Sequence, residues 1–364
     1  MHLHEMAALR TKPAAGLFMA LTRRCPLSCA HCSTTSSMSS EQYGEEPFRA
    51  IADSFTAESH PGVLLLSGGE ALLRPELVGD LAEVARRAGT KSYVLSGMYF
   101  AREDHKLPAP VRRALGKVDH LAASLDEFHE KEVSRAQVFR AIHEIRELVP
   151  GVSFQLTGRD EADPYLAGLV EDVRKEFDDT VPILVGFVSQ VGRGRTLSGA
   201  LPIDRSSSAA EVTADPCDRA SWPLVHYDGT VFACCNQDLV ERVRPPHLIV
   251  GDAATDSWEV IRRRFLDRAV LRTIRVLGPS FIANKFRPEI SDIRGMCGTC
   301  VALVKPEDIT GEGIEQQLAA YLATPQGAAL EAAARELVDA QDPTGFSVRR
   351  TQRYGELVTL GWEG

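Results

Sequence analysis

The stretch Thr22-Arg23-Arg24-Cys25-Pro26-Leu27-Ser28-Cys29-Ala30-His31-Cys32 sets three thiols four and then three positions apart. Fe–S clusters are normally held by four cysteine thiolates, so a loop offering three leaves one iron open to an exogenous ligand. The next cysteine is Cys217, and His31 inside the loop is the one nearby alternative ligand. Zinc competes for the same residues, because Cys29 and Cys32 form a C-x2-C pair of the kind found in zinc knuckles.

Downstream, the apolar run Val63 to Leu66 reads as a buried strand that ends in Ser67-Gly68-Gly69-Glu70. Two glycines let the backbone approach a ligand closely, and a carboxylate just beyond can accept hydrogen bonds from an ammonium. The plainer alternative is a strand-to-helix turn, with Pro75 opening the next helix.

Strand and helix patterns alternate through the first half. Strands are expected at 17–22, 63–67, 91–96, 120–124, 152–157 and 182–187, and helices at 47–55, 75–88, 109–115, 136–148 and 164–176. Such alternation predicts right-handed βαβ units and a parallel sheet. Parallel α/β sheets carry their sites at the carboxyl ends of the strands. The cysteine loop follows the first strand and Gly-Gly-Glu ends the second, which puts both on one rim. Ser96, Ser124, Asp126, Gln155, Thr157 and Arg159 at other strand ends become candidates for cofactor or substrate contact, and equally for caps. His129, in Asp126-Glu127-Phe128-His129-Glu130, is a candidate general acid or base, although a polar loop opening a helix is the favoured reading of that segment. His2 and His4 are expected to be mobile terminal residues.

Composition bounds the possibilities. The 364 residues, 44% hydrophobic and 25% charged, suffice for a large core and two domains. A net charge of −9 argues against a nucleic-acid partner. No apolar stretch has membrane-spanning length and no secretory signal opens the chain, so a cytoplasmic protein without a membrane partner is expected. Eight cysteines in such a chain suit metal ligation better than disulfides.

The pattern breaks over 189–216, which is rich in Gly, Ser and Pro and reads as a solvated linker, Gly192-Arg193-Gly194-Arg195 included. Beyond it come Cys217, Cys234, Cys235, Cys297 and Cys300. The sequence WPLVHYDGTVFACC reads as a β-hairpin turning through Tyr-Asp-Gly-Thr, which brings cysteines at its two ends together for a distant C-x2-C to complete a four-thiolate site. A zinc site with the same thiolates is the alternative. Strand alternation sends Cys234 and Cys235 to opposite faces, so both should not easily bind one cluster. A basic amphipathic helix is expected over 257–274, with Val260, Ile261, Phe265, Val270 and Leu271 inward. Two more, at 312–323 and 325–340, are candidates to cover the barrel mouth or bind a partner.

The C-x3-C-x2-C loop, the aromatic His31 before its third cysteine and the Gly-Gly-Glu element together resemble the radical S-adenosylmethionine (radical SAM) superfamily. The resemblance implies a partial (β/α)6 TIM-like barrel. It implies a catalytic [4Fe–4S] cluster on Cys25, Cys29 and Cys32, with S-adenosylmethionine on the open iron and Gly68, Gly69 and Glu70 near its amino group. Reductive cleavage would give a 5′-deoxyadenosyl radical that takes hydrogen from an unactivated C–H bond, with a flavodoxin- or ferredoxin-type electron donor as partner.

Cys217, Gly229-x4-Cys234 and Cys297-x2-Cys300 resemble the SPASM and twitch extensions of that superfamily. They imply one auxiliary [4Fe–4S] cluster on Cys217, Cys234, Cys297 and Cys300, with Cys235 as an alternative ligand, a buried thiol or a substrate-facing group. No cysteine follows Cys300, which matches the one-cluster twitch form. The expected architecture is α/β: a radical SAM partial barrel (1–188), linker (189–216), Cys-rich β-hairpin/helix auxiliary-cluster domain (217–303) and C-terminal helical extension (304–364). The expected chemistry is oxidative modification of a ribosomal peptide or dehydrogenation of a small molecule such as an aminocyclitol. Only a short segment precedes the cysteine loop, so no fused leader-recognition domain is expected. The alternative from another class is a non-catalytic Fe–S or zinc protein.

Overall fold

Short β-branched and leucine-rich runs build the sheet. In the computed structural model, which describes residues 1–102, 106–197, 215–290, 295–305, 307–308, 310–340 and 352–363, the strands are β1 (Gly16–Ala20), β2 (Val63–Ser67), β3 (Lys91–Ser96), β4 (His120–Leu125), β5 (Val152–Gly158) and β6 (Ile183–Phe187), then β7 (Leu224–Val225), β8 (Thr230–Phe232) and β9 (Ile249–Asp252). They form one open sheet in the order β6-β5-β4-β3-β2-β1-β7-β8-β9. Neighbours from β6 to β1 are parallel, as the alternating pattern requires. This is the unclosed α/β barrel that the sequence implies.

The predicted hairpin is β7–β8, turning through Gly229 at φ +91°. It joins the barrel sheet directly: β7 pairs in parallel with β1, Phe18 opposite Leu224 and Met19 opposite Val225. Both cysteine-bearing segments therefore flank the same strand.

Helices α1 (Leu3–Arg10), α2 (Glu46–Asp53), α3 (Pro75–Ala88), α4 (Ala109–Leu115), α5 (Arg135–Arg146) and α6 (Pro164–Glu176) accompany the parallel strands. Helices α3 and α6 have proline in the first turn, where a missing N–H goes unnoticed. Helix α5 opens with a reciprocal Ser134/Gln137 capping box.

The expected helix over 257–274 is instead two, α7 (Trp258–Asp267) and α8 (Ala269–Val276), broken at Arg268 with ψ 126°. The break has a distant cause. Helices α9 (Gly278–Phe286), α10 (Met296–Ala302), α11 (Glu312–Leu322) and α12 (Pro325–Ala340) follow, and the Glu315 carboxylate of α11 accepts the first N–H groups of α8, Ala269 at 2.6 Å and Val270 at 3.0 Å. Arg275 of α8 in turn donates to the carbonyls of Phe265 and Leu266. Helix α12 is tied to α8 as well, through Glu331 and Arg272.

Alternation divides the sheet into two faces. Leu17, Leu64, Val94, Leu121, Phe154 and Ile183 join the helical core. Val63, Tyr93 and Ala122 on the other face pack against Leu3 and Met6 of α1, Trp222 and Val358. Trp222 fills space left by Gly16, where a Cβ would come within 2.5 Å of the indole. The Met1 carbonyl lies 2.9 Å from Nδ1 of His120, the first residue of β4, so this plug sits at the amino ends of the strands. His2 is part of it: Nδ1 accepts from the His4 N–H as a cap of α1, and Nε2 lies 3.0 Å from the Leu360 carbonyl. The expected mobile terminus is thus packed against the segment near the other end of the chain. Among the described residues, no helix is long and apolar enough to cross a membrane.

Candidate functional site

The cysteine loop leaves β1 at the carboxyl rim. The Gly69 N–H donates to the Thr22 carbonyl at 2.6 Å and the Glu70 N–H to that of Arg24 at 2.9 Å. Added Cβ atoms would come within 2.3 Å of Thr22 O at Gly68, whose φ is +129°, and 2.4 Å of Arg24 O at Gly69. The glycines therefore admit the backbone of the cysteine loop itself. The Glu70 side chain is buried and accepts from the Leu72 N–H, the Ser96 hydroxyl and the Gly97 N–H. Burial first, opposed by these donors, raises its pKa to about 6. This carboxylate braces β2 against the end of β3 and is already satisfied, unlike one held open for an ammonium.

The expected solvated linker at Gly192-Arg193-Gly194-Arg195 instead closes over the loop. The Arg193 N–H donates to Cys32 O at 2.9 Å, its Nε to Cys29 O at 2.9 Å and its Nη1 to Ser36 O at 2.7 Å. Gly192, at φ +55°, passes where a Cβ would meet Ser33 O at 2.4 Å. Arg195 pairs with Asp238 at 2.6 Å. A glycine-flanked arginine was the signal available for this contact; its target in space was not.

The thiols differ in readiness. Burial, together with the charges of Glu70 and the other two cysteines, pushes Cys25 up to about 12. At Cys32 burial acts the same way, but the Thr34 hydroxyl at 3.2 Å, backbone N–H groups and the Arg193 charge outweigh it and lower the pKa.

The segment 126–130, expected to be a polar loop, forms a buried network. Asp126 accepts from the Phe128 and His129 N–H groups and lies 2.7 Å from His129 Nδ1 and 3.3 Å from His31 Nε2. Burial opposes protonation of His129, yet the Asp126 carboxylate and a hydrogen bond to Cys29 hold its pKa up at about 10. His31 is lowered, burial outweighing Asp126. His31, Asp126 and His129 form the one group of three or more candidate ligand atoms within 4.8 Å of one another among the described residues. Neither cysteine set is drawn to that spacing, whereas sulfurs on a single tetrahedral zinc lie about 3.8 Å apart. Ser124 and Gln155 stand opposite each other on β4 and β5, both half-buried, as is Thr157. Arg159 is engaged by Glu127 at 2.8 Å.

The second set also converges. Cys234 follows β8, and Cys297 and Cys300 share one face of α10. Cys217 is pushed up to about 12, by burial first and then by Asp218 and Cys297. Cys234 is raised well above its usual value by burial and by Cys235, Cys217 and Cys300. Donors surround the sulfurs: the Asn236 N–H lies 3.3 Å from Cys234 Sγ, Asn236 Nδ2 3.5 Å from Cys297 Sγ, and His247 Nε2 3.4 Å from Cys300 Sγ. Cys235 turns elsewhere, accepting from Arg10 at 3.6 Å. Asn236 and His247 carried no sequence signal, since neither belongs to a cysteine spacing. A set of thiols ringed by N–H donors fits an iron–sulfur cluster, whose sulfurs are strong acceptors.

Beside the second set lies a cleft of about 620 Å³, lined by Gln190, Arg195, Asn236, Asp238, Arg242 and Cys297 among others. Arg23 of the cysteine loop reaches Glu241 at 3.4 Å, beside this cleft. Burial pushes Glu241 up to about 7 despite that cation.

Residues 19–173 match the family model "Radical SAM superfamily". No curated protein sequence matches the chain. Among solved structures, SuiB of Streptococcus suis, bound to S-adenosylmethionine, superposes with a TM-score of 0.52 at 10% identity, over 74% of this chain and 69% of that one. Native anSMEcpe, bound to AdoMet and the Cp18Cys peptide, gives 0.50 at 12% identity, over 87% of this chain and 98% of that one. At these identities the superpositions speak for the fold. The family match runs from β1 to α6, with the cysteine loop on the carboxyl rim of an open parallel barrel, so residues 19–173 form a radical SAM domain.

Proposed function

We propose that the protein is a two-cluster radical SAM enzyme that oxidatively modifies a C–H bond of a peptide substrate. The supporting observation is the pairing of β7 with β1, which sets a second converging cysteine group beside the barrel that bears the first. Cys25, Cys29 and Cys32 would hold the catalytic cluster, and Cys217, Cys234, Cys297 and Cys300 the auxiliary one. When bound, the catalytic cluster and S-adenosylmethionine supply a reductively generated carbon radical able to take hydrogen from an unactivated C–H bond, and the auxiliary cluster supplies a one-electron acceptor.

The chain's own residues do the rest. Arg193 and the Gly68-Gly69 backbone fix the cysteine loop, while Ser124, Asp126 and Gln155 present polar groups at strand ends for the cofactor. Ser96 donates to Glu70 and with it braces the end of β3 against β2. The Arg195–Asp238 pair lines the cleft in which substrate would lie. An open cleft of that size, with apolar side chains beside its charged ones, accommodates an extended peptide segment; the peptide bound to anSMEcpe lends the same direction. A flavodoxin- or ferredoxin-type donor would deliver the electron.

The test is anaerobic reconstitution with iron and sulfide quantified, followed by dithionite, S-adenosylmethionine and assay of 5′-deoxyadenosine. About eight irons per chain, with 5′-deoxyadenosine lost in C29A, supports the reading. Bound zinc, or clusters without cofactor cleavage, overturns it. Turnover of an aminocyclitol rather than of peptides would replace the substrate class alone.

A further inference from the structure

His247 is buried completely, yet its Nδ1 has no hydrogen-bond partner among the described residues. A buried polar atom without a partner is a penalty that a leucine or phenylalanine would avoid, so the imidazole must do something at its other nitrogen. That nitrogen, Nε2, stands 3.4 Å from Cys300 Sγ. A thiolate only accepts, so the contact fixes the tautomer with hydrogen on Nε2 and leaves Nδ1 bare.

The backbone holds the ring in place from three sides. His247 lies in the short helical turn Pro246–Leu248, where φ-locked proline sets the conformation. The Ala233 N–H donates to Leu248 O at 2.7 Å, fastening the turn beside Cys234. Gly311, at φ +73°, presses close enough that a Cβ there would lie 3.0 Å from the His247 backbone nitrogen and 3.2 Å from its Cβ. A rigid N–H donor is thereby aimed at one sulfur of the second cysteine set, with Asn236 aimed at two others.

Hydrogen bonds to cluster sulfurs stabilise the more negative, reduced state and raise the reduction potential. We infer that His247 is a positioning residue of the auxiliary cluster, whose Nε2–H···S bond to Cys300 raises that cluster's potential and favours electron uptake from substrate. The inference rests on the two-cluster reading proposed above.

The measurement is a redox titration of the auxiliary cluster, followed by EPR, in the reconstituted full chain and in H247F and H247Q. H247F keeps the ring volume without the donor, and its redox equilibrium should shift about tenfold toward the oxidised cluster, about 59 mV for one electron. H247Q retains an N–H at similar reach and should recover much of that shift. Eight-iron protein with the same potential in H247F, or H247Q no different from H247F, overturns the inference while leaving the two-cluster reading intact. Four irons in the parent chain would sink that reading instead, and the inference with it. Should H247F fail to assemble, pulsed EPR on the parent protein carrying 15N-histidine decides: a weak 15N coupling to the reduced auxiliary cluster supports the bond, and its absence overturns it.

Discussion

Arg193 Nε donates to the Cys29 carbonyl at 2.9 Å across 164 positions of sequence. Its Nη1 and backbone N–H hold Ser36 O and Cys32 O, so one residue satisfies three loop carbonyls. Lysine cannot reproduce that fork. R193K should destabilise the loop by about 2 kcal/mol and lower the iron retained by the catalytic site, with the auxiliary site unaffected. Iron analysis with Mössbauer spectroscopy checks this; full catalytic-site occupancy in R193K would show that the clamp is dispensable.

Gly69 is set against backbone, which cannot turn aside as a side chain can. A Cβ there would lie 2.4 Å from Arg24 O and 2.6 Å from Arg23 O. G69A should lose at least about 3 kcal/mol and displace the cysteine loop, seen as a lower urea midpoint and as loss of 5′-deoxyadenosine formation. If G69A melts with the parent protein, the glycines serve some purpose other than close packing.

What the sequence disclosed follows from how far each cause lies along the chain. Strands β2 and β3 and helices α3 and α6 were legible because their apolar periods and first-turn prolines are local signals. The hairpin β7–β8 was legible too, since its turn signal at Tyr227-Asp228-Gly229 is local. The break at Arg268 was not, because the Glu315 carboxylate that caps α8 lies in α11. Arg193 read as linker for the same reason, its three acceptors all belonging to the distant cysteine loop. The network of Asp126 with His129 and His31 was half visible. Asp126 and His129 are neighbours, but the third member and Cys29 come from the loop after β1.

Burial pushes His120 down to about 3 from an ordinary value of 6.5, opposed only in part by its hydrogen bond to the Met1 carbonyl. Between those values the unfolded chain binds more protons than the folded one, so stability rises with pH across that window. The contribution is fully present above about pH 6.5 and is lost progressively as pH falls toward the folded pKa. Urea unfolding at about pH 7.5 and 5.5 should show the loss, and H120Q, which cannot charge, should show a smaller one. An identical pH dependence in H120Q would remove His120 as its source.

Cys234 and Cys235 are adjacent, and the proposed auxiliary site takes Cys234. They follow β8, and their side chains meet different partners. Cys234 is buried, accepts the Asn236 N–H and feels the charges of Cys217 and Cys300, whereas Cys235 accepts from Arg10 of α1. C234A should therefore reconstitute with about four irons fewer than the parent chain, and C235A with the parent's full complement. C235A should also keep the auxiliary cluster's EPR signal, because Arg10 and the plug at the amino ends of the strands stay in place without that thiol. Loss of iron in C235A but not in C234A would reverse the ligand assignment, and with it the face of the hairpin on which the second cluster is built.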